Sequence, residues 1–219
     1  MTRILLVRHG QAICNVERTI EGVGRCRGLS DLGHRQAAAV ATRLATEGFA
    51  PDHTYVSPIR RAVETATAIT NAIGVTFETD ADFEELRPGD AEGMTWDQYS
   101  AFYGNSEGWN PTVPFAPNAE AWSDFLTRVS GGLDRIANRH EGETVLVVAH
   151  GGVVDASLFH YFGLDPMVQS PIDFESANTG LTEWERRSFT VPAGTDQDDS
   201  EIYRWRLVRY NDAAHVLVR

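Results

Sequence analysis

The sequence is short of positive charge. Its 219 residues include 31 acidic side chains against 19 basic ones, and every basic residue is an arginine, so the formal net charge at pH 7 is −12. Such a protein lacks the basic surface that nucleic acids and anionic membranes bind. We therefore expect neither class of partner, and we draw no conclusion about mechanism from the absence of lysine.

Cysteines and long apolar runs are also scarce. The two cysteines, Cys14 and Cys26, are expected to be free thiols in a reducing compartment, and a zinc site that joins them to His9 would match no ligand spacing. No apolar run reaches the length of about 18 residues that a transmembrane helix needs. The chain enters strand-like sequence directly, without the features of a signal peptide, which predicts a cytoplasmic protein.

Strand-like and helix-like segments alternate along the chain. The length favours one domain over residues 1–219. Predicted strands cover 3–7, 51–57, 75–78, 143–152, 179–186 and 202–210, and predicted helices cover 32–49, 58–74, 118–140 and 153–163. This alternation predicts an α/β fold with three layers, in which helices cover both faces of a mostly parallel central sheet. The acidic segment 193–201 is predicted to be a solvated loop between the last two strands.

Several single residues have ordinary structural interpretations. Asp31 is predicted to cap the helix that follows it, Pro58 to lie in the first turn of its helix, and Gly74 to end that helix. Glu92 is interpreted as a hydrogen-bond acceptor in a turn. The histidines outside the two strand ends described next are interpreted as surface or packing residues: His34, His53, His140, His160 and His215.

Two strand-like segments end in the same unusual way. "LLVRHG" (5–10) and "VVAHGG" (147–152) both place a histidine and a glycine where the chain leaves the sheet. The carboxyl ends of parallel strands share one edge, where ligands bind in open α/β folds, so His9 and His150 are predicted neighbours. Gly10, Gly151 and Gly152 are expected to let a ligand approach the backbone. The helix after Gly152 is expected to direct its N–H groups at an anion.

These residues resemble the histidine phosphatase superfamily, in its phosphoglycerate-mutase-like branch. The resemblance runs in order through nearly the whole chain. It rests on "RHG" with Asn15, "GLSDLGHRQA" (28–37), "SPIRRAVETA" (57–66), "EELRPGDAEG" (84–93), "AHGG" (149–152) and "WRLVRYNDAAHV" (205–216).

The resemblance implies a role for each matching residue. His9 would be the nucleophile that forms a phosphohistidine, and Glu85 would protonate the leaving oxygen. The remaining implied residues bind the phosphate oxygens: Arg8, Asn15, Arg61, His150 and Gly151. Two positions have a like neighbour. The family pattern places its arginine directly before alanine, which selects Arg61 over Arg60, and places its glutamate four residues before a glycine, which selects Glu85 over Glu84.

Elementary chemistry is consistent with these roles. A phosphoryl-transfer transition state spreads charge over three oxygens, and two forked guanidinium groups can stabilise it without a metal ion. A neutral imidazole is a good nucleophile once its other nitrogen is held. Free glutamate is mostly ionised at neutral pH, so we expect Glu85 to gain acid character when a phosphate dianion is bound. Neither metal nor cofactor is expected.

The predicted activity is hydrolysis of a small phosphorylated metabolite through a phosphohistidine, without a metal ion. Segment 94–118 is predicted to form a cap-like insertion and contains no basic residue, whereas phosphoglycerate mutases of this branch carry several there. A mutase is therefore the alternative, and a non-catalytic module that binds a phosphorylated ligand or a partner is a further one. The aromatic residues of this segment could contact substrate or pack the cap: Trp96, Tyr99, Phe102, Tyr103, Trp109 and Phe115. A homodimer is compatible with the sequence.

Overall fold

A mixed sheet forms the middle of the molecule. The computed structural model describes residues 1–104, 110–165, 167, 174–191 and 200–217. Within these residues the sheet order is β3-β2-β4-β1-β5-β6. The strands are β1 (Thr2–Arg8), β2 (His53–Val56), β3 (Glu78–Thr79), β4 (Thr144–Ala149), β5 (Leu181–Val191) and β6 (Ser200–Asp212). The first four are mutually parallel, whereas β5 is antiparallel to both β1 and β6. The α/β prediction is confirmed.

The helices follow the predicted alternation with shifted ends. They are α1 (Ile13–Glu17), α2 (Asp31–Thr46), α3 (Arg60–Ile73), α4 (Trp96–Tyr103), α5 (Trp122–Arg139), α6 (Gly151–Phe162) and α7 (Ala214–Leu217). The predicted strand 75–78 was wrong over most of its length, since only Glu78 lies in β3. Helix α6 begins two residues earlier than predicted, with His150 as its N-cap.

The core lies on both faces of the sheet. In β1, Leu5 and Val7 pack against α2 and α3, whereas Ile4 and Leu6 pack against α5 and α6. All four side chains are at most 1% exposed. A strand that is covered on both faces has apolar side chains at successive positions. The sheet with helices on each of its two faces gives the three layers that the sequence predicted.

Helix caps differ in detail from the predictions. Ser30, not Asp31, caps α2, because the Ser30 hydroxyl accepts a hydrogen bond from the Gly33 N–H at 3.1 Å. Ile59 is the N-cap of α3, so Pro58 lies outside this helix rather than in its first turn. Gly74 ends α3 with φ of 74°, as predicted, in the left-handed region that favours glycine.

The described part of segment 94–118 packs through aromatic side chains. Tyr99, Tyr103 and Phe115 lie against a small buried cluster that includes Ile20, and the Tyr99 hydroxyl donates to the Phe115 carbonyl at 2.8 Å. Packing therefore accounts for these three rings.

Other predictions concern the edges of the described chain. Trp109 and residues 193–199 of the acidic segment lie outside the described residues, whereas Ser200 and Glu201 belong to β6. None of the described helices combines the length and the apolar character that crossing a bilayer would require.

Candidate active site

The two histidines that end strands lie side by side. Arg8 of β1 pairs with Ala149 of β4, so His9 and His150 leave the sheet at adjacent points. Their ring centroids are 5.2 Å apart in an edge-to-face arrangement, and their exposed fractions are 3% and 0%. The sheet thus brings together two residues that are far apart in the chain.

The hydrogen bonds of His9 fix its tautomer. Its Nδ1 lies 2.6 Å from the Gly10 carbonyl oxygen, which can only accept, so the proton is assigned to Nδ1. Its Nε2 accepts a hydrogen bond from Arg61 Nε at 3.1 Å. Burial first, and then the charges of Arg61 and Arg8, hold the pKa of His9 well below its ordinary value. The site therefore contains a neutral imidazole with the Nε2 lone pair facing a guanidinium group.

Arg61 comes from the first turn of α3 and is only 4% exposed. Besides its contact with His9, its Nη1 donates to the Glu21 carbonyl at 3.1 Å and contacts the Cys26 thiol sulfur at 3.6 Å. The neighbouring Arg60 instead pairs with Glu64 at 2.7 Å on the surface. Of the two adjacent arginines, Arg61 is the one that lies against His9.

Two buried nitrogen atoms of the site have no hydrogen-bond partner within the described chain, namely Arg8 Nε and His150 Nδ1. Elsewhere the same side chains are held: Arg8 Nη1 donates to the Ser176 carbonyl, and His150 Nε2 lies 2.7 Å from the Ser57 hydroxyl. Burial is the main cause that lowers the pKa of Arg8 and holds the pKa of His150 well below its ordinary value. Buried polar atoms are normally paired, so a ligand with acceptor oxygens would complete these two.

The side chain of Glu85 lies beside the first residues of α6. Its Oε2 accepts from the Gly152 N–H at 3.2 Å, and its Oε1 accepts from the Leu86 N–H at 3.0 Å. Glu84, in contrast, pairs with Arg87 at 2.8 Å. The Glu85 carboxylate is therefore the one oriented toward the end of β4.

Arg128 of α5 supports the loop that carries Glu85. Its guanidinium group donates to the carbonyl oxygens of Asp82 at 2.8 Å and Glu85 at 3.4 Å, and it pairs with Glu120 at 2.6 Å. Sequence reasoning missed this role, because nothing in the local pattern shows which arginine reaches a distant loop.

The three glycines also make room for other parts of the chain, a packing role beside the predicted role in ligand approach. A Cβ atom at Gly10 would lie 2.5 Å from the Gly33 carbonyl oxygen, and one at Gly152 would lie 2.2 Å from Glu85 Oε1. The Gly152 N–H donates to Glu85 rather than pointing freely at a ligand. At Gly151 a Cβ atom would come 3.0 Å from the Ser176 hydroxyl.

Asn15 and Glu92 both accept hydrogen bonds from backbone N–H groups. Asn15, in α1, accepts from the Ala12 N–H through its Oδ1 at 2.9 Å, which leaves the Nδ2 group as the donor that a phosphate would meet. Glu92 accepts from backbone N–H groups, among them those of Gly22 at 3.0 Å and Arg25 at 3.0 Å. This confirms the interpretation of Glu92 as a turn residue.

Three further residues hold the site, two through their side chains and one through its backbone carbonyl, and sequence reasoning missed them. The Thr65 hydroxyl accepts from the Gly10 N–H at 3.1 Å and donates to the Arg61 carbonyl at 2.8 Å. Thr65 and Ser57 both lie in "SPIRRAVETA", so their position in that motif was an available signal. The third, Ser176, comes from an irregular segment and had no such signal.

Comparison with known proteins identifies the family. A sequence model described as the histidine phosphatase superfamily (branch 1) matches residues 4–193. The chain belongs to this family. The sequence-based resemblance is thereby confirmed, and the protein is a histidine phosphatase in the broad sense of that name.

Individual relatives of this histidine phosphatase carry both mutase-like and phosphatase names. It is 35% identical over 160 residues to phosphoglycerate mutase-like protein 4 of Arabidopsis thaliana, which covers 69% of this chain and 67% of that protein. It is 32% identical over 165 residues to the metal-independent phosphoserine phosphatase of the same plant, with coverage of 71% and 67%. The structure of YhfR from Bacillus stearothermophilus superposes with a TM-score of 0.80 at 26% identity, and the match covers 99% of this chain and 100% of YhfR.

The contact between Gly152 and Glu85 leads to a first prediction. In Gly152→Ala the new methyl group would displace the Glu85 carboxylate, because it would lie 2.2 Å from Glu85 Oε1. The Phe125 ring, 3.0 Å away on another side, leaves the methyl group no room to shift. We expect kcat for an alkyl phosphate to fall roughly 10²-fold, as misplacement by about 1 Å can cost that much.

Gly131→Ala is the matched control, since a Cβ atom there, also in a helix, meets no atom within 4 Å. We expect unchanged kinetics and about 0.5–1 kcal/mol of added stability from the higher helix propensity of alanine. Steady-state kinetics and thermal unfolding of both variants check the prediction. A Gly152→Ala enzyme with wild-type kcat would contradict the role of this glycine.

Proposed function

We propose that this histidine phosphatase hydrolyses a small phosphorylated metabolite through a phosphohistidine on His9, without a metal ion. The observation that carries the proposal is the buried His9 ring, whose Nδ1 is held by the Gly10 carbonyl and whose Nε2 faces Arg61. Arg8 Nε and His150 Nδ1, which have no partner among the described residues, add hydrogen-bonding groups for phosphate oxygens.

In the first step, the phosphate displaces the Arg61 Nε–His9 Nε2 hydrogen bond, and Arg61 turns its donors to the phosphate oxygens. The Nε2 lone pair attacks phosphorus, the ester P–O bond breaks, and the leaving oxygen takes a proton from Glu85. The Gly10 carbonyl keeps the Nδ1 proton of His9 and stabilises the positive charge that develops on the ring.

In the second step, water attacks the phosphorus atom of the phosphohistidine. The Glu85 carboxylate, now ionised, takes a proton from this water, the P–N bond breaks, and its electron pair returns to Nε2. Inorganic phosphate leaves and the enzyme is restored. Arg8 and Arg61 supply the cationic stabilisation that other phosphoryl-transfer enzymes obtain from metal ions.

Charge outside the phosphate pocket favours a phosphatase over a mutase. A mutase acting on phosphoglycerate must also bind a carboxylate. The arginines nearest to segment 94–118 along the sequence are Arg87 and Arg128, and each is paired with a glutamate, at 2.8 Å and 2.6 Å respectively. Ion-paired arginines have less attraction for a second anionic group.

A cavity lies beside Leu86, the chain neighbour of Glu85. Its volume is about 880 Å³, and Trp96, Tyr99 and Trp122 also line it, whereas His9, Glu85 and the phosphate-binding arginines do not. Ligand pockets of this size and apolar character accept small organic molecules. The similarity to a metal-independent phosphoserine phosphatase supports a small metabolite as the substrate.

The test is hydrolysis of p-nitrophenyl phosphate and of a panel of sugar, amino-acid and acyclic phosphomonoesters in the presence of EDTA. We expect turnover that EDTA does not lower and that releases inorganic phosphate. Activity that requires added Mg²⁺ would contradict the metal-independent mechanism. Interconversion of 2- and 3-phosphoglycerate without phosphate release would instead favour the mutase.

The depressed pKa of His9 leads to a prediction about pH. His9 must be neutral to attack, so lowering its pKa moves the loss of activity to lower pH. We expect the acid limb of kcat/KM to have its midpoint below about 6.5, the ordinary histidine value. Two substrates with different second phosphate ionisations separate the enzyme's limb from the substrate's. A limb at or above the ordinary value, equal for both substrates, would contradict the neutral His9.

A further inference from the structure

A second histidine cluster lies at the edge of the sheet opposite to His9. His53 is the first residue of β2, His140 is the C-cap of α5, and Glu143 directly precedes β4. Because β2 and β4 are parallel neighbours, their starts meet at the edge away from the catalytic site. We call these three residues the His53 cluster.

The side chains of the His53 cluster converge on one oxygen atom. His53 Nε2 and His140 Nδ1 each lie 3.1 Å from Glu143 Oε2, and the two imidazole rings stack with centroids 3.7 Å apart. Their ligand atoms all lie within 4.8 Å of one another. Within the part of the chain that the structure describes, no other group of three His, Cys, Asp or Glu side chains is so placed.

We propose that the His53 cluster binds a divalent transition metal ion of the Zn²⁺ type. Two imidazoles and one carboxylate are a donor set that Zn²⁺ takes, with water in the fourth position. Ligand atoms about 2.0–2.1 Å from a tetrahedral zinc ion are about 3.4 Å from each other. The separations of 3.1 Å to Glu143 are close to this value, whereas the two stacked rings have to turn so that both lone pairs face the ion.

The surroundings of His140 favour the form that binds metal. Its Nε2 lies 2.8 Å from the Tyr55 hydroxyl. In the tautomer in which His140 Nε2–H donates to this hydroxyl, Nδ1 carries the lone pair. The Nδ1 lone pair then points at Glu143, an arrangement that a cation between them makes favourable. Such an outer hydrogen bond is typical of metal-binding histidines.

Access and connectivity also fit a metal site. The side chains of His53 and Glu143 are 41% and 44% exposed, so an ion and its water ligand can enter from solvent, whereas His140 is 5% exposed and provides a fixed ligand. His140 and Glu143 are three residues apart, and His53 comes from a distant part of the chain. A bound ion would therefore tie the start of β2 to the end of α5 and stabilise the fold.

Titration of the chelator-treated full chain with Co²⁺ and Zn²⁺ tests the proposal. We expect one Co²⁺ per chain with the intense visible absorption of a four-coordinate ion, displaced by Zn²⁺. His53→Ala and Glu143→Gln should each weaken binding at least about tenfold, and Tyr55→Phe by roughly tenfold or more through the lost outer hydrogen bond. Zn²⁺ at about 100 times its dissociation constant should raise Tm by roughly 5–10 °C, reversibly with EDTA.

Two controls separate this site from others. His160→Ala removes a histidine that pairs with Asp134, at 2.8 Å, and His9→Ala removes the catalytic ring, so both should bind Co²⁺ as the wild type does. Glu143→Gln changes an exposed side chain, and circular dichroism checks that it is folded. Absence of one-to-one binding by the wild type, or binding that survives both His53→Ala and Glu143→Gln, would overturn the proposal and leave a hydrogen-bonded packing cluster.

Discussion

His9→Ala lowers kcat for p-nitrophenyl phosphate by on the order of 10⁴-fold or more, because it removes the only atom that the proposed mechanism uses to accept the phosphoryl group. The remaining arginines can still bind phosphate and orient water, so a small residual rate is expected. Steady-state kinetics with EDTA present measure the effect.

His34→Ala is the matched control for this prediction. His34 is an exposed residue of α2, and the same chemical change there should leave kcat within twofold. A His9→Ala enzyme that keeps more than a tenth of wild-type activity would show that His9 is not the nucleophile.

Glu85→Gln has an effect that depends on the leaving group. An alkyl alkoxide needs a proton as it departs, whereas p-nitrophenolate does not. We therefore expect kcat to fall by about 10²–10⁴-fold for an alkyl phosphate, the usual contribution of general acid catalysis, and much less for p-nitrophenyl phosphate. The hydrogen bond from the Gly152 N–H can hold the glutamine carbonyl oxygen in place, so binding should persist.

Glu84→Gln is the neighbouring control, since Glu84 pairs with Arg87 and has no proposed chemical role. Glu84→Gln should lower kcat only slightly, and by the same factor for both substrates. Equal losses on both substrates in Glu85→Gln would contradict the acid role and would point to a role in positioning or charge.

The sequence predicted the part of the site that depends on topology. His9 and His150 follow two apolar strands, and parallel strands bring their carboxyl ends to one edge, so their proximity follows from pattern alone. The choice between Arg60 and Arg61 came from the family pattern, and the structure places Arg61 at His9.

What the sequence could not predict depends on contacts between distant segments. The missing Cβ atoms of Gly10 and Gly152 make room for Gly33 and Glu85, a packing role that the sequence does not show. Arg128 supports the Glu85 loop from α5, and no local periodicity encodes that contact. Tertiary packing decides such features after the secondary structure has formed.

Local misassignments have similar causes. The predicted strand at 75–78 is β-prone in composition, but it lies at the sheet edge and pairs with β2 through only two residues, Glu78 and Thr79. At α2, Asp31 and Ser30 are both good capping residues, and the backbone placed the Ser30 hydroxyl within reach of the Gly33 N–H. Sequence preference alone does not separate two such neighbours.

The phosphohistidine itself is the central claim, and trapping it is the most direct test. The enzyme would be mixed with a phosphomonoester labelled in its phosphate, quenched in alkali, where P–N bonds survive, and digested for peptide mass spectrometry. The account predicts an acid-labile phosphate on the peptide that contains His9, absent from His9→Ala. Turnover without any covalent phosphate, or phosphate on a residue other than His9, would contradict it.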